Sequence, residues 1–325
     1  MILEVGELID MTSLLVFREQ LKKFYSKYEL YITPAAKFLL ALVTILVINA
    51  SIGYMSELKN FAVVLVLSLM CSFLPMNFTV VLAALVTLGH LYRFSMECAV
   101  VALAVFLLLF ILYFRFSPKD TLVVLFTPIC FVLKIPYAIP IAVGLVGTPF
   151  SAVSVAGGVI VYYTIHYMNA SASVLSTFEE DGALEKFRYV IDGLMGNKAM
   201  YVTIVAFVAT LIVVYFIRRL SIDYAWTIAI ITGALLDILL VLFGELLYNT
   251  HLSIIGLILG SLVAVGVAKI LEFLVFNVDY SRTERVQFED DEYYYYVKAV
   301  PKNTVATPQK RVKTIKVPEK AVKRN

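Results

Sequence analysis

The chain has 325 residues, of which 61% are hydrophobic and only 16% charged, with a formal net charge of +3. Soluble domains carry about 25% charged residues, and uninterrupted runs of about 20 apolar residues mark membrane spans. The composition therefore leaves no room for a soluble catalytic domain and predicts an all-α polytopic membrane protein.

The first residues, MILEVGELID, are acidic where a cleavable signal peptide needs a basic start. Residues 1–33 read as an amphipathic helix on the cytoplasmic side. Phe17, Leu21, Phe24, Tyr28 and Tyr31 recur at helical spacing, with Arg18, Lys22, Lys23 and Lys27 between them. Such a face suits an anionic membrane surface, or equally a groove on the protein's own surface.

Residues 34–168 form a membrane region of two tandem blocks. Full spans are expected near 35–54, 98–116 and 150–168, and between them lie two pairs of short apolar runs. The runs 61–74 and 77–92 are broken at Pro75, and the runs 121–133 and 136–148 at Lys134-Ile135-Pro136. Each run reaches only about 20–24 Å, short of a hydrocarbon core of about 30 Å. Each pair is thus either a re-entrant hairpin or two thin spans. A shift of sixty positions sets Val63, Val64 and Leu65 on Val123, Val124 and Leu125, and Leu85-Val86 on Leu145-Val146. A block of this layout crosses once or three times, so consecutive copies must face opposite ways. Inverted repeats with broken helices are a transporter architecture; chance matching among hydrophobic segments is the rival reading.

Residues 169–199 read as an extracytoplasmic segment. Thr177-Phe178-Glu179-Glu180 has the pattern of a capping box, followed by Leu184, Phe187, Ile191 and Leu194 at helical spacing. Residues 200–276 supply three further spans, near 200–217, 224–246 and 251–276, which brings the full spans to about six. Residues 277–325 form a cytoplasmic tail, part of it disordered, in which nine of the ten charged residues from Lys298 onward are basic. The turns Arg115–Lys119 and Arg218-Arg219 fall on the same side, so the positive-inside rule places both termini in the cytoplasm of a multi-pass cell-membrane protein.

Charges within spans are the best pointers to function, because each is costly or needs a partner. Asp237 lies near the middle of its span and Lys134 at the break of the second short pair. The expectation is that they face one polar cavity and pair, with Asn77 at the matching tip of the first pair and Ser151 and Ser154 lining a path. Asp237 hydrogen-bonded to a neighbouring helix, with Lys134 reaching an interface, is the structural alternative. Gly256, Gly260, Ala264 and Ala268 make a stripe of small residues for close helix packing, within the subunit or across a dimer. Cys71, Cys98 and Cys130 sit in apolar runs and read as packing residues. No phosphate-binding loop, Gly-x-Ser-x-Gly turn or His-Glu-x-x-His helix occurs, so no enzyme, cofactor, metal site or nucleic-acid partner is expected. Glu179-Glu180 resembles the glutamate pair of intramembrane prenyl-protein proteases, but Leu184 stands where their motif has arginine.

The tail's VQFEDDEYYYYVKAVPK, Val286 to Lys302, has two β-forming runs around Asp290-Asp291, and Arg311–Val317 offers a third strand. It reads as an interfacial anchor or as a docking strand for a cytosolic partner. The same stretch resembles the tail of an uncharacterised group of Gram-positive bacterial multi-pass proteins, some labelled permease-like. That resemblance implies a bacterial plasma membrane and a permease role, driven by a separate ATPase subunit or by an ion gradient. The function expected is a permease-like protein moving a small solute or ion past Asp237 and Lys134. The alternative is a membrane scaffold or envelope-assembly subunit that recruits partners through its tail and amphipathic helices.

Overall fold

The structure is a computed structural model that describes residues 2–178 (the backbone alone for 2–14), 183–250, 253–276, 278 and 283–301. Its helices are α1 (Ile2–Ser51), α2 (Ser56–Lys59), α3 (Phe61–Phe73), α4 (Met76–Phe94), α5 (Met96–Phe116), α6 (Thr121–Val132) and α7 (Ala138–Val146). They continue with α8 (Ser151–Ala170), α9 (Ala172–Leu175), α10 (Ala183–Met195), α11 (Lys198–Arg218), α12 (Ala225–Tyr248) and α13 (Ile254–Val275). Among the described residues six helices, within Leu15–Ser51, Met76–Phe94, Met96–Phe116, Ala183–Arg218, Ala225–Tyr248 and Ile254–Val275, are long and apolar enough to cross a bilayer. The chain is an all-α polytopic membrane protein. A two-stranded hairpin, β1 (Glu284–Glu289) and β2 (Tyr294–Ala299), is the only sheet among the described residues.

Polar side chains start the helices where the sequence allows it. The Asn60 carboxamide accepts from Ala62 N at 3.0 Å, and Asn197 accepts from Met200 N at 3.1 Å. Ser95 and Ser253 cap α5 and α13 in the same way. The expected boundary at residue 33 is absent, because α1 runs through Pro34 with one non-helical residue, Tyr28 (φ −116°, ψ 19°). Proline removes one helical hydrogen bond and bends the helix without ending it. Phe17, Leu21, Phe24 and Tyr31 are all exposed, so this apolar face does not rest on the protein's own surface. Arg18 is the residue that docks, and its Nε donates to Leu274 O at the end of α13 (3.2 Å).

Side-chain contacts sort the helix ends into two groups. At the first end, Ser72 donates to Pro34 O (2.9 Å), Tyr113 and Thr121 donate to Asn77 Oδ1 (3.0 and 2.5 Å), and Ser117 meets Ser154 (2.6 Å). Arg218 donates to Gly147 O (2.7 Å), and Trp226 stacks on Phe276 (4.7 Å). At the second end, His90 bonds Asn49 (2.7 Å), Tyr54 bonds Asn169 (2.8 Å), and Lys186 lies 4.0 Å from Glu97.

This sorting gives each helix a direction. α3 runs from the second end to the first, α4 returns, and α5 runs to the first end again. α6 starts at the first end beside Asn77, and α7 comes back to it at Gly147. α8 then runs from Ser154 at the first end to Asn169 at the second. The two pairs of short runs are therefore built differently. The first pair is two helices joined at an end of the bundle: α4, at 19 residues, is a full-length span, and α3, at 13, is a shorter apolar helix that runs between the two groups of contacts. The second pair is a re-entrant hairpin whose tip lies inside. At 12 residues, α6 carries that tip about 18 Å inward. The packing differs as well: α3 lies chiefly on α1, whereas α6 lies chiefly on α8, where Gly158 admits Thr127.

α11 and α12 pack antiparallel, with Val214 over Gly233 and Val202 over Gly244. α10 packs Phe187, Val190 and Leu194 and leaves Leu184 and Ile191 exposed, so its packing face keeps Phe187 and Leu194 of the expected four and is turned part-way from the rest. The turn is set by the Tyr167 ring, which occupies the space where a Cβ of Gly193 would sit. The Glu179-Glu180 part of the expected cap and the Arg311–Val317 strand lie outside the described residues. The hairpin pairs Phe288 with Tyr295 in antiparallel register. Its turn is closed by Asp290, which accepts from Tyr293 N (2.6 Å), Glu292 N (3.0 Å) and the Tyr295 hydroxyl (2.8 Å). The Tyr295 bond, aided by the two amides, holds this carboxyl below the usual carboxylate range.

Candidate functional site

The tip of the re-entrant hairpin begins where α6 ends. Lys134 is left-handed (φ 62°), with Lys134 N bonded to Phe131 O (3.0 Å) and Ile135 N to Cys130 O (2.9 Å). This αL turn closes the helix, and Pro136 forbids its continuation. Glycine is the usual occupant of such a turn, and a residue with a Cβ costs about 1–2 kcal/mol there. The Lys134 side chain is exposed, whereas Tyr137, three residues on, turns inward. Its ring stands edge-on to Phe207 (6.1 Å) and lies on α13 where Gly260 has no Cβ; one added there would sit 2.6 Å from the ring.

Above this tip is a cavity of about 360 Å³ that includes Tyr137, Tyr162, Tyr163, His166, Asn197 and Thr203 in its walls. Asn197 and His166 belong to the second end of the bundle, so the cavity spans the depth from that end to the tip. Its rings are ordered: Phe131 stacks on Tyr162 (4.3 Å), Tyr162 on His166 (5.6 Å), and Tyr163 shares a hydrogen bond with Thr203 (3.0 Å).

Val241 also lines the cavity, and Asp237 lies one helical turn away from it on α12. Asp237 is wholly buried, 0% exposed, in the middle of the bundle. Its Oδ1 accepts a long bond from Thr210 on α11 (3.5 Å), and its Oδ2 has no partner among the described residues. A carboxylate buried this way costs several kcal/mol if charged, unless something pairs with it. No family model, curated protein or solved structure matches the chain. The arrangement must speak for itself.

The expected pair of Asp237 and Lys134 does not form: among the described residues Asp237 makes no ion pair, and Lys134 points outward from the tip. The left-handed turn is the physical reason, because it sets the Lys134 side chain away from the face that Tyr137 presents. Asn77 is not at a matching internal tip. It lies at the first end, where the Tyr113 hydroxyl is also within hydrogen-bond distance of Pro118 O (3.2 Å) and Thr121 Oγ1 (2.9 Å). Ser151 takes the Thr148 amide (3.1 Å) at the start of α8, and Ser154 is paired with Ser117. Neither joins Asp237. The space between the two blocks, where a polar path was expected, is an apolar cavity of about 100 Å³ bounded by Val80, Phe106, Phe110, Pro128 and Gly157.

Of the small-residue stripe, Gly260, Ala264 and Ala268 are buried within the subunit, while Gly256 is exposed. That buried face meets α7 and α12. Lys269 and Glu272 pair at 2.7 Å and both reach Thr227 (2.7 and 3.0 Å). The three cysteines are buried thiols. Sequence reasoning missed Tyr137, the Tyr162-Tyr163 pair with His166, and Thr203 with Thr210. A signal existed for the threonines, since residues seven apart share a helix face. Nothing local marks Tyr137 as the inward residue of the tip.

Proposed function

We propose that the chain is a permease-like protein of a bacterial cell membrane that moves a small cation or cationic solute. The path enters at the second end, passes the aromatic cavity and reaches Asp237 beneath the hairpin tip. One observation carries this reading: a mid-bundle carboxylate with an unpartnered oxygen, one helical turn from an aromatic cavity whose walls include His166, Asn197 and Thr203. An uncompensated acid at that depth is a counter-charge waiting for a cation. The likeness of the tail to permease-like proteins supports the same reading, as does a re-entrant element beside the acid, a device of transporters.

The first end holds Lys37, Arg115, Lys119, Arg218 and Arg219, and the positive-inside rule makes it the cytoplasmic one. On this reading both termini face the cytoplasm, and so does the hairpin, where Lys298 Nζ bonds Asp223 (2.6 Å). Its tyrosines are a surface for a cytosolic partner, an ATPase subunit among them.

Vesicles containing the full chain, under an imposed diffusion potential, should pass protons, sodium or potassium above the rate of empty vesicles. Asp237→Asn should abolish that flux. Equal flux in the variant, or none in the wild type, would remove the path. The scaffold reading draws on one feature, the complete burial of Asp237 against Thr210. On that reading no flux appears and Asp237→Asn only stabilises the fold.

A further inference from the structure

The first end of the bundle carries a pocket that the solute path does not use. It has a volume of about 410 Å³ and is walled by Gly147, Thr148, Tyr215, Arg218, Arg219 and Trp226. Two guanidinium groups face it and no carboxylate lines it. The nearby acid Asp223 is taken by Lys298.

Arg218 is fixed in place. It donates to Leu145 O and Gly147 O, so it satisfies carbonyls that α7 leaves open at its C-terminus. Its guanidinium lies 5.1 Å from the Tyr215 ring centre and 5.9 Å from that of Trp226. Its Nε is buried and has no partner among the described residues. Arg219, on the exposed side, stacks over Tyr215 at 5.3 Å and donates to the Tyr215 hydroxyl. Planar guanidinium donors held by aromatic rings match the oxygens of a phosphate group. Beside the pocket, Val146, Phe216 and Leu220 are exposed apolar residues. A basic pocket between spans, rimmed by Trp and Tyr and flanked by apolar surface, fits a lipid headgroup with its chains alongside.

We propose that this pocket binds the phosphate of an anionic phospholipid headgroup, with acyl chains against Val146 and Phe216. Because Arg218 also holds the end of α7, a bound headgroup fixes the trailing arm of the re-entrant hairpin. Inorganic phosphate shares the recognised chemistry and is the competing source.

The test uses the full chain in detergent, with lipid retention read by native mass spectrometry and protection read by thermal unfolding. Dioleoyl phosphatidylglycerol should be retained over dioleoyl phosphatidylcholine. Arg219→Gln should weaken retention about tenfold, the effect of one charge-assisted hydrogen bond. Arg219 takes no part in holding α7, so the variant should elute and melt like the wild type without lipid. Arg218→Lys keeps the charge, loses the fork and should also weaken retention. Lys198→Gln, beside Tyr248 at the other end, should not. Equal retention in wild type, Arg219→Gln and Arg218→Lys, or no retention in the wild type, overturns the proposal. Thermal protection by sodium phosphate that matches phosphatidylglycerol, at equal ionic strength, overturns the lipid as occupant and leaves an anion site.

Discussion

The two pairs of short apolar runs look alike in the sequence and end in different places. In the first pair the break at Pro75 lies at an end of the bundle, where Lys37 Nζ donates to Leu74 O (3.3 Å). In the second, the break at Lys134 to Pro136 lies inside, closed by a left-handed turn and held by Tyr137 on Gly260. What separates them is their neighbours. α3 leans on α1 and α4 on α5, and α4 is long enough to reach across. α7 is only nine residues long and is wedged among α11, α12 and α13, with its exit fastened by Arg218. A proline break sets where a helix stops. The surrounding helices set at what depth.

The largest effect that would break this contrast is one of sidedness. In a background without the native cysteines, Asn60→Cys should react with an impermeant maleimide from the second side only. Pro75→Cys, Asp120→Cys and Thr148→Cys should react from the first side only. Labelling of Asn60→Cys and Asp120→Cys from one side would end the opposed direction of the two blocks. Labelling of Thr148→Cys from the second side would end the re-entrant hairpin.

Packing gives the next effect. A Cβ on Gly158 would sit 2.5 Å from Thr127 Cβ, deep in the second block, whereas one on Gly89 would meet Leu58 Cδ1 at 3.2 Å and Met55 Sδ at 3.9 Å. Gly158→Ala should therefore cost about 1–3 kcal/mol by overpacking. Gly89→Ala should stay within about 0.5 kcal/mol. Thermal unfolding in detergent reads both, and equal costs would erase the difference between the blocks. Asp237→Asn should stabilise the fold by about 1–2 kcal/mol, because it removes a carboxylate that is not fully paired. A loss of stability would mean that the acid is better compensated than its contacts with described residues indicate. The smallest effect is at the tip, where Lys134→Gly should gain about 1 kcal/mol by relieving the left-handed turn. A destabilised variant would show that the lysine side chain holds the tip.

Membrane class and helix content were legible because a bilayer demands long apolar runs, and five of the six helices long and apolar enough to cross announce themselves by composition. Asp237 was legible for the same reason, as an acid where none is cheap. The Lys134–Asp237 pair was misread because sequence gives depth but not azimuth. Both residues lie near the middle, yet one left-handed residue swings Lys134 outward and Tyr137 inward. Asn77 was misread because the repeat implied a shared depth for both breaks, and long-range packing overrode it. The sequence left α4 open between a thin span and half of a re-entrant hairpin, since its polar residues Asn77, Thr79, Thr87 and His90 shorten the apolar run, although Thr79, Thr87 and His90 are buried and Asn77 is bonded.

Arg18 and Leu274 are 256 residues apart, and the bond between them fastens the first helix to the last. During synthesis that fastening has to wait until α13 has left the ribosome. Before and after that bond forms, the aromatic stripe of Phe17, Phe24 and Tyr31 stays exposed and free to lie among headgroups. The amino-terminal segment is thus a clasp that shuts last, and its closure reports that α13 has been inserted.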